Sequence, residues 1–224
     1  MNYFTKTEKG IWIGSVLFIT LSFLIFDRGS YLNLIASLVG VTSLIYCAKG
    51  NPFGQVMIII FSLLYSIISY SFRYYGELAT YAGMTLPMAI IALVEWMRHP
   101  YKGNKSEVEV RKITVTDHFV MWTLAVVVTI VFYFILKFFN TANLIVSTFS
   151  VTTSFVAVYL TFRRSPYYAI AYAANDIVLI VLWLLASLED VKYVSVLACF
   201  AAFLVNDIYG FINWRRMEKR QQEN

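Results

Sequence analysis

Carboxylates and amides sit inside long apolar runs of this chain, where such groups are costly and face either a cavity or a partner. Asn175 and Asp176 lie about 10 residues into the run that begins at Pro166. Along a helix that is about 15 Å, close to mid-bilayer. Trp183 follows Asp176 by seven residues on the same helical face, and Tyr172 precedes it by four. A later run carries Asn206, Tyr209, Gly210 and Asn213 at i, i+3, i+4 and i+7, one stripe bordered by Asp207. An earlier run carries Gln55, Ser62, Tyr65 and Ser66 on a comparable face. Three uses are open. Amides and a carboxylate beside Tyr and Trp suit a polar, ring-containing solute, with the rings stacking and the amides reading its hydroxyls or carboxamide. The carboxylates could instead hold a coupling proton or Na⁺. The amides could also tie helices together by hydrogen bonds.

The chain has no phosphate-binding glycine loop, no HExxH, no GxSxG and no metal-spaced Cys or His cluster. No cofactor or metal is expected, and a primary pump would need a separate ATPase subunit. An enzyme would need several acids, bases or ligands converging on one site, and only Asp176 and Asp207 are candidates. A transporter, not an enzyme, is the reading. Cys47 and Cys199 both lie in apolar runs and read as small core residues. His99 and His118 flank a basic loop and are expected to be solvated there, and Glu95 to be solvated or paired with Arg98. Most other aromatics read as interfacial belts. Tyr74, Tyr75 and Tyr81 fall on one side, and Trp96, Tyr101, Tyr167, Tyr168 and Trp214 on the other.

The elements that must position these groups are membrane helices. Of 224 residues, 59% are hydrophobic and 14% charged, and mean hydropathy is +0.67. A soluble domain is about 45–50% apolar and about 25% charged. Eight runs approach the roughly 20 residues a spanning helix needs: Ile11–Phe26, Tyr31–Cys47, Pro52–Phe72, Tyr81–Met97, His118–Phe139, Leu144–Phe162, Pro166–Leu188 and Val191–Ile212. Only self-satisfying helices fit such runs, so an all-α bundle is predicted. Pro87 inside the fourth run predicts a kink. The first run resembles a signal peptide, but Phe26-Asp27-Arg28 follows it with no small-residue cleavage site, so an uncleaved helix is expected. Fourteen of the 18 Lys and Arg fall on the side holding both termini; Arg28, Arg73, Lys137 and Lys192 fall on the other. The positive-inside rule makes the basic side cytoplasmic.

The chain also repeats itself. Asn33-Leu34-Ile35 recurs as Asn143-Leu144-Ile145, Pro52-Phe53 as Pro166-Tyr167, and Trp96-Met97-Arg98 as Trp214-Arg215-Arg216. The order is kept, which predicts two three-helix units. Residues 1–30 then hold an extra first helix, 31–98 the first unit, 99–140 a basic loop and linker helix, 141–216 the second unit, and 217–224 a charged tail. The units enter the membrane from the same side, so the repeats are parallel. In that architecture the substrate site lies near the midplane where the repeats meet.

Tyr75-Gly76-Glu77 with Pro87-Met88 and Trp96 forms one motif. Arg164 to Tyr168 through Asn175-Asp176 and Trp183 forms a second, and Asn206 to Arg216 a third. Together they resemble the PnuC family of nicotinamide riboside transporters, over roughly residues 31–216. The resemblance implies a fold similar to the SWEET sugar carriers, three helices, one linker and three helices, with a homotrimer suggested by fold analogy. It implies facilitated diffusion in a bacterial cytoplasmic membrane, with a cytosolic kinase phosphorylating the incoming nucleoside. Asn175, Asp176, Trp183, Asn206, Tyr209, Asn213, Gln55, Ser62 and Tyr65 would then meet substrate. Asp207, Gly210, Pro87, Trp96 and Trp214 would gate or pack helices. Nicotinamide riboside is the favoured cargo; thiamine, riboflavin or a deoxynucleoside are alternatives carried by relatives of the same architecture.

Overall fold

The computed structural model describes residues 3–71 and 75–223. It is a helical bundle with eight helices long and apolar enough to cross a membrane. Helix α1 spans Lys6–Phe26, α2 Tyr31–Ala48 and α3 Phe53–Ser71. The short α4 (Tyr75–Thr80) runs through a π turn (Tyr81–Thr85) into α5 (Leu86–Arg98). A hairpin of β1 (Pro100–Tyr101) and β2 (Asn104–Val108) follows. Then come α6 (Val115–Phe138), α7 (Leu144–Phe162), α8 (Tyr168–Glu189), a 3₁₀ turn (Val191–Tyr193) and α9 (Val194–Glu223).

Local chemistry starts these helices where they start. Thr5 and Glu8 close a capping box at α1, and Thr114 with Asp117 closes another at α6. Gly50, at φ +65, turns the chain between α2 and α3. Gly54 then lets α3 lie against the end of α2, because a Cβ there would sit 2.5 Å from the Cys47 sulfur and 2.7 Å from the Cys47 nitrogen.

Four features differ from the expectation. The fourth span begins at Tyr75 rather than Tyr81, because the chain stays helical through the π turn. Pro87 falls in the first turn of α5, directly after that turn, where its missing N–H is tolerated and the wider π turn carries the irregularity. The basic loop folds into a hairpin, turned by Lys102 and Gly103, both at positive φ. The last helix continues to Glu223 because its polar end is good helix-forming sequence. Phe72, Arg73 and Tyr74 of the expected third span and outer interface lie outside the described residues.

Helices α2, α3 and α5 pack as one group, and α7, α8 and α9 as another; α2 meets α9, and α5 meets α7. Helix α1 lies on α2 and α9, and α6 on α7. Only 17% of the α6 window is buried, against 56% for the last span. Helix α6 therefore stands at the rim, with Val115, Phe119 and Phe134 facing outward.

Candidate substrate cavity

A cavity of about 460 Å³ lies between the two helix groups, within the size range of small-molecule sites, ~300–1,000 Å³. Near the end of the bundle away from the basic loops it is lined by Tyr75, Asn140, Thr141, Asn143, Glu189 and Tyr193. At its other end it reaches Cys47, Gln55 and Tyr168. Its walls include the aromatic rings of Phe61, Tyr81, Tyr172, Trp183, Phe200 and Phe203. Glu77, Asp176, Glu189 and Asp207 all line it, and no Lys, Arg or His does among the described residues.

Asp176 of α8 and Asp207 of α9 meet carboxyl to carboxyl. They are only 3% and 4% exposed, and Asp176 Oδ2 has no protein partner. A buried carboxylate oxygen without a donor calls for one, and in this cavity a ligand can supply it. Asn175 is oriented from α7: the Thr153 hydroxyl donates to its Oδ1 at 2.8 Å, leaving its NH₂ group for the cavity. Gln55, 1% exposed, projects from α3 and donates to the Cys47 sulfur at 3.5 Å. The chemistry on offer is recognition of a flat, positively charged ring, with π faces for stacking and carboxylates for charge.

A plug of rings shuts the basic end. Trp96 and Trp214 are both 0% exposed, with centroids 5.4 Å apart, and Tyr168 lies 4.9 Å from the Trp214 ring. Trp96 Nε1 donates to the Thr161 carbonyl at 2.9 Å, and Trp214 Nε1 donates to the Cys47 carbonyl at 2.8 Å. Each accepting residue is next to last in its helix, α7 and α2. Each tryptophan thus adds a second bond to a helix-end carbonyl of the opposite group that already accepts a turn N–H, from Arg164 at Thr161 and from Gly50 at Cys47. Neither sits in an interfacial belt.

The structure brings Gln55, Asn175, Asp176, Trp183 and Asp207 to one cavity and leaves the other residues expected to meet substrate elsewhere. Asn206 donates to Ser15 Oγ at 2.9 Å and to the Ala202 carbonyl. Tyr209 donates to Glu8 at 3.1 Å, and Asn213 to the Ala48 carbonyl at 2.7 Å. That polar stripe on α9 faces α1 and α2, not the cavity. Glu8 in turn takes Lys49 at 3.2 Å, so the stripe docks the first helix. Ser62 is buried within α3 with its hydroxyl unpartnered. Tyr65 stands behind the wall, its ring 4.7 Å from that of Tyr81. A Cβ on Gly210 would lie 3.7 Å from that of Ala48, so Gly210 sits at the α2–α9 seam. Glu95 faces Arg164 and His99 rather than Arg98.

Sequence reasoning passed over Glu77, Tyr81, Asn143 and Glu189 as lining residues. Glu77 was hidden because residues 75–80 fell outside the expected spans, and Tyr81 because it read as an interfacial ring. Gly76 beside Glu77 was the available signal: a Cβ there would collide with Thr141 at the α6–α7 turn, so only glycine lets α4 close against the cavity mouth.

The profile of the nicotinamide mononucleotide transporter family matches residues 30–216. A nicotinamide riboside transporter PnuC of Neisseria mucosa is 26% identical over 216 residues, covering 95% of this chain and 82% of that protein. A second, from Haemophilus influenzae, is 19% identical over 216 residues, covering 96% and 92%. A crystal structure of the vitamin B3 transporter PnuC superposes with a TM-score of 0.83 at 23% identity, covering 99% of this chain and 95% of the other.

Proposed function

This chain belongs to the nicotinamide mononucleotide transporter family, and on that premise we propose that it carries nicotinamide riboside across the membrane by facilitated diffusion. One observation carries the reading: a nucleoside-sized cavity with aromatic walls and four carboxyl groups, two of which share a proton, and no basic side chain among its described lining residues. A cationic pyridine ring finds stacking partners and negative charge there. A phosphate finds only repulsion, since like charges brought together cost several kcal/mol. The riboside fits this cavity better than the mononucleotide for which the family is named, in keeping with the names of the two bacterial relatives. The same repulsion explains retention. Once a cytosolic kinase adds phosphate, the product no longer suits the cavity and cannot leave by it.

The basic end of the bundle is proposed to face the cytoplasm of a bacterial cell, with both termini there and the cavity open to the outside. The 31–98 and 141–216 units are proposed as parallel repeats. The reciprocal bonds of Trp96 and Trp214 support this, because each reaches the helix end matching the other's target. A homotrimer is proposed from fold analogy, to be read by light scattering of the purified protein.

Binding to purified protein tests the cargo. Nicotinamide riboside should bind saturably, and the mononucleotide at least about 100-fold more weakly. Equal affinity for the two would sink the charge argument. Thiamine, also a cation, is the second reading, and tighter thiamine binding would keep the cavity and change the cargo. In proteoliposomes, riboside should equilibrate without any ion gradient. A strict need for a proton or Na⁺ gradient, lost in Asp176→Asn, would replace uniport with ion coupling.

A further inference from the structure

The hairpin and the extended residues after it have no part in the cavity, yet they touch both helix groups at the basic end. Val108, 0% exposed, donates its backbone N–H to the Gly50 carbonyl at 2.9 Å, in the α2–α3 turn. Arg111 donates its N–H to the Arg164 carbonyl at 3.0 Å, in the α7–α8 turn. Gln221, in the last turn of α9, is held three ways. Its Oε1 accepts from the Val110 N–H at 2.8 Å, and its Nε2 donates to Glu107 at 2.8 Å and to the Val108 carbonyl at 3.1 Å. Arg220 also pairs with Glu107. Behind this strap Asp117, 3% exposed, takes Arg111 and Arg163 together. Arg164 faces Glu95 at 3.4 Å.

A carrier that alternates access must part its two halves at the closed end, and a segment bonded to both halves opposes that. Residues 107–111 are bonded to the α2–α3 turn of one group and to the α7–α8 turn and α9 of the other. Because the strap lies outside the Trp96–Trp214 plug, it closes the same end a second time. From this bridging we infer that the strap 107–111 is the latch of the basic-end gate, and that its release is required for the cavity to open there. The inference rests on the carrier reading but not on which nucleoside is carried.

Cys47 reports on the gate, because it lines the blind end of the cavity and is 1% exposed. The assay is labelling of Cys47 by a membrane-impermeant thiol reagent added from the basic side of oriented vesicles, located by peptide mass. Gln221→Ala removes three of the strap's bonds, all of them made at an end of α9 beyond its apolar stretch. It should raise the labelling rate roughly 3- to 10-fold, as loss of a small hydrogen-bond set does. A lock supplies the control. Ala48→Cys with Gly210→Cys joins α2 to α9, since a Cβ at position 210 would lie 3.7 Å from that of Ala48, inside the disulfide range of about 3.5–4.5 Å. Oxidised, this protein should lose the extra Cys47 labelling and its transport, and reductant should restore both. An unchanged rate in Gln221→Ala, while the lock still suppresses labelling, would overturn the latch. A raised rate that survives in the oxidised lock would mean unfolding rather than gating, and would overturn it too. No substrate enters the labelling assay, so it stands or fails separately from the choice of cargo.

Discussion

Replacing Asp176 and Asp207 together by Asn removes the single negative charge that two carboxyls in hydrogen-bond contact hold between them, and keeps both side-chain shapes. The Asp176 carboxyl is 3% exposed, and its Oδ2 faces no protein donor. A cation about 4 Å from a carboxylate gains about 4 kcal/mol at an effective dielectric of about 20. Desolvation of both groups takes back part of that, and charged hydrogen bonds contribute about 1.5–3 kcal/mol net. The expected loss is therefore about 1.5–3 kcal/mol, or roughly 10- to 150-fold in Kd for nicotinamide riboside. Its uncharged dihydro form has nearly the same shape and should lose less than about twofold, because only the charge was removed. Titration calorimetry on the purified protein, or tryptophan fluorescence through Trp183, reads both ligands. An equal loss for the two would mean that the substitution disturbs the fold of the cavity. Unchanged affinity for the cation would mean that the Asp176–Asp207 pair does not face the ring. Either result refutes the charge reading.

Trp183→Ala should weaken both the cation and its neutral analogue, the cation more, by roughly 3- to 30-fold for the loss of about 0.5–2 kcal/mol of ring contact, read in the same titration. Asn206→Ala and Asn213→Ala should leave that Kd within about twofold and lower the melting temperature in detergent. Each removes a buried or half-buried bond and leaves a partner without its donor, at about 1–3 kcal/mol, and a large affinity loss at unchanged stability would return these residues to the site. Gly54→Ala should destabilise by about 1–3 kcal/mol, because the new Cβ meets backbone of Cys47 that cannot move aside. Gly14→Ala, where nothing lies within 4 Å, should not, and the pair of melting curves checks it.

The number of spans and their approximate limits could be read from composition and run length. Both depend only on how much apolar surface a segment carries, and each segment reports that by itself. Tyr172, Asp176 and Trp183 likewise pointed to one helix face, because spacing along a single helix determines which side chains share a side. The contrast is sharpest on the last helix. Asn206, Tyr209 and Asn213 form as clean a polar stripe as any in the chain, yet Ser15, Glu8 and the Ala48 carbonyl occupy it. A stripe announces that something polar covers it, and whether that is a ligand or another helix depends on which helix docks there. Glu77 shows the converse. A run that looks like an outer loop continues as helix through a π turn, and the close approach of Gly76 to Thr141 brings the carboxylate to the cavity. The sequence by itself determined an eight-helix membrane bundle, a basic end and the residues at the heart of α8. Only the tertiary structure decided which polar faces meet, that Trp96 and Trp214 plug one end, and that a loop straps it. These are contacts between segments far apart in the chain, set by close packing that no local pattern encodes.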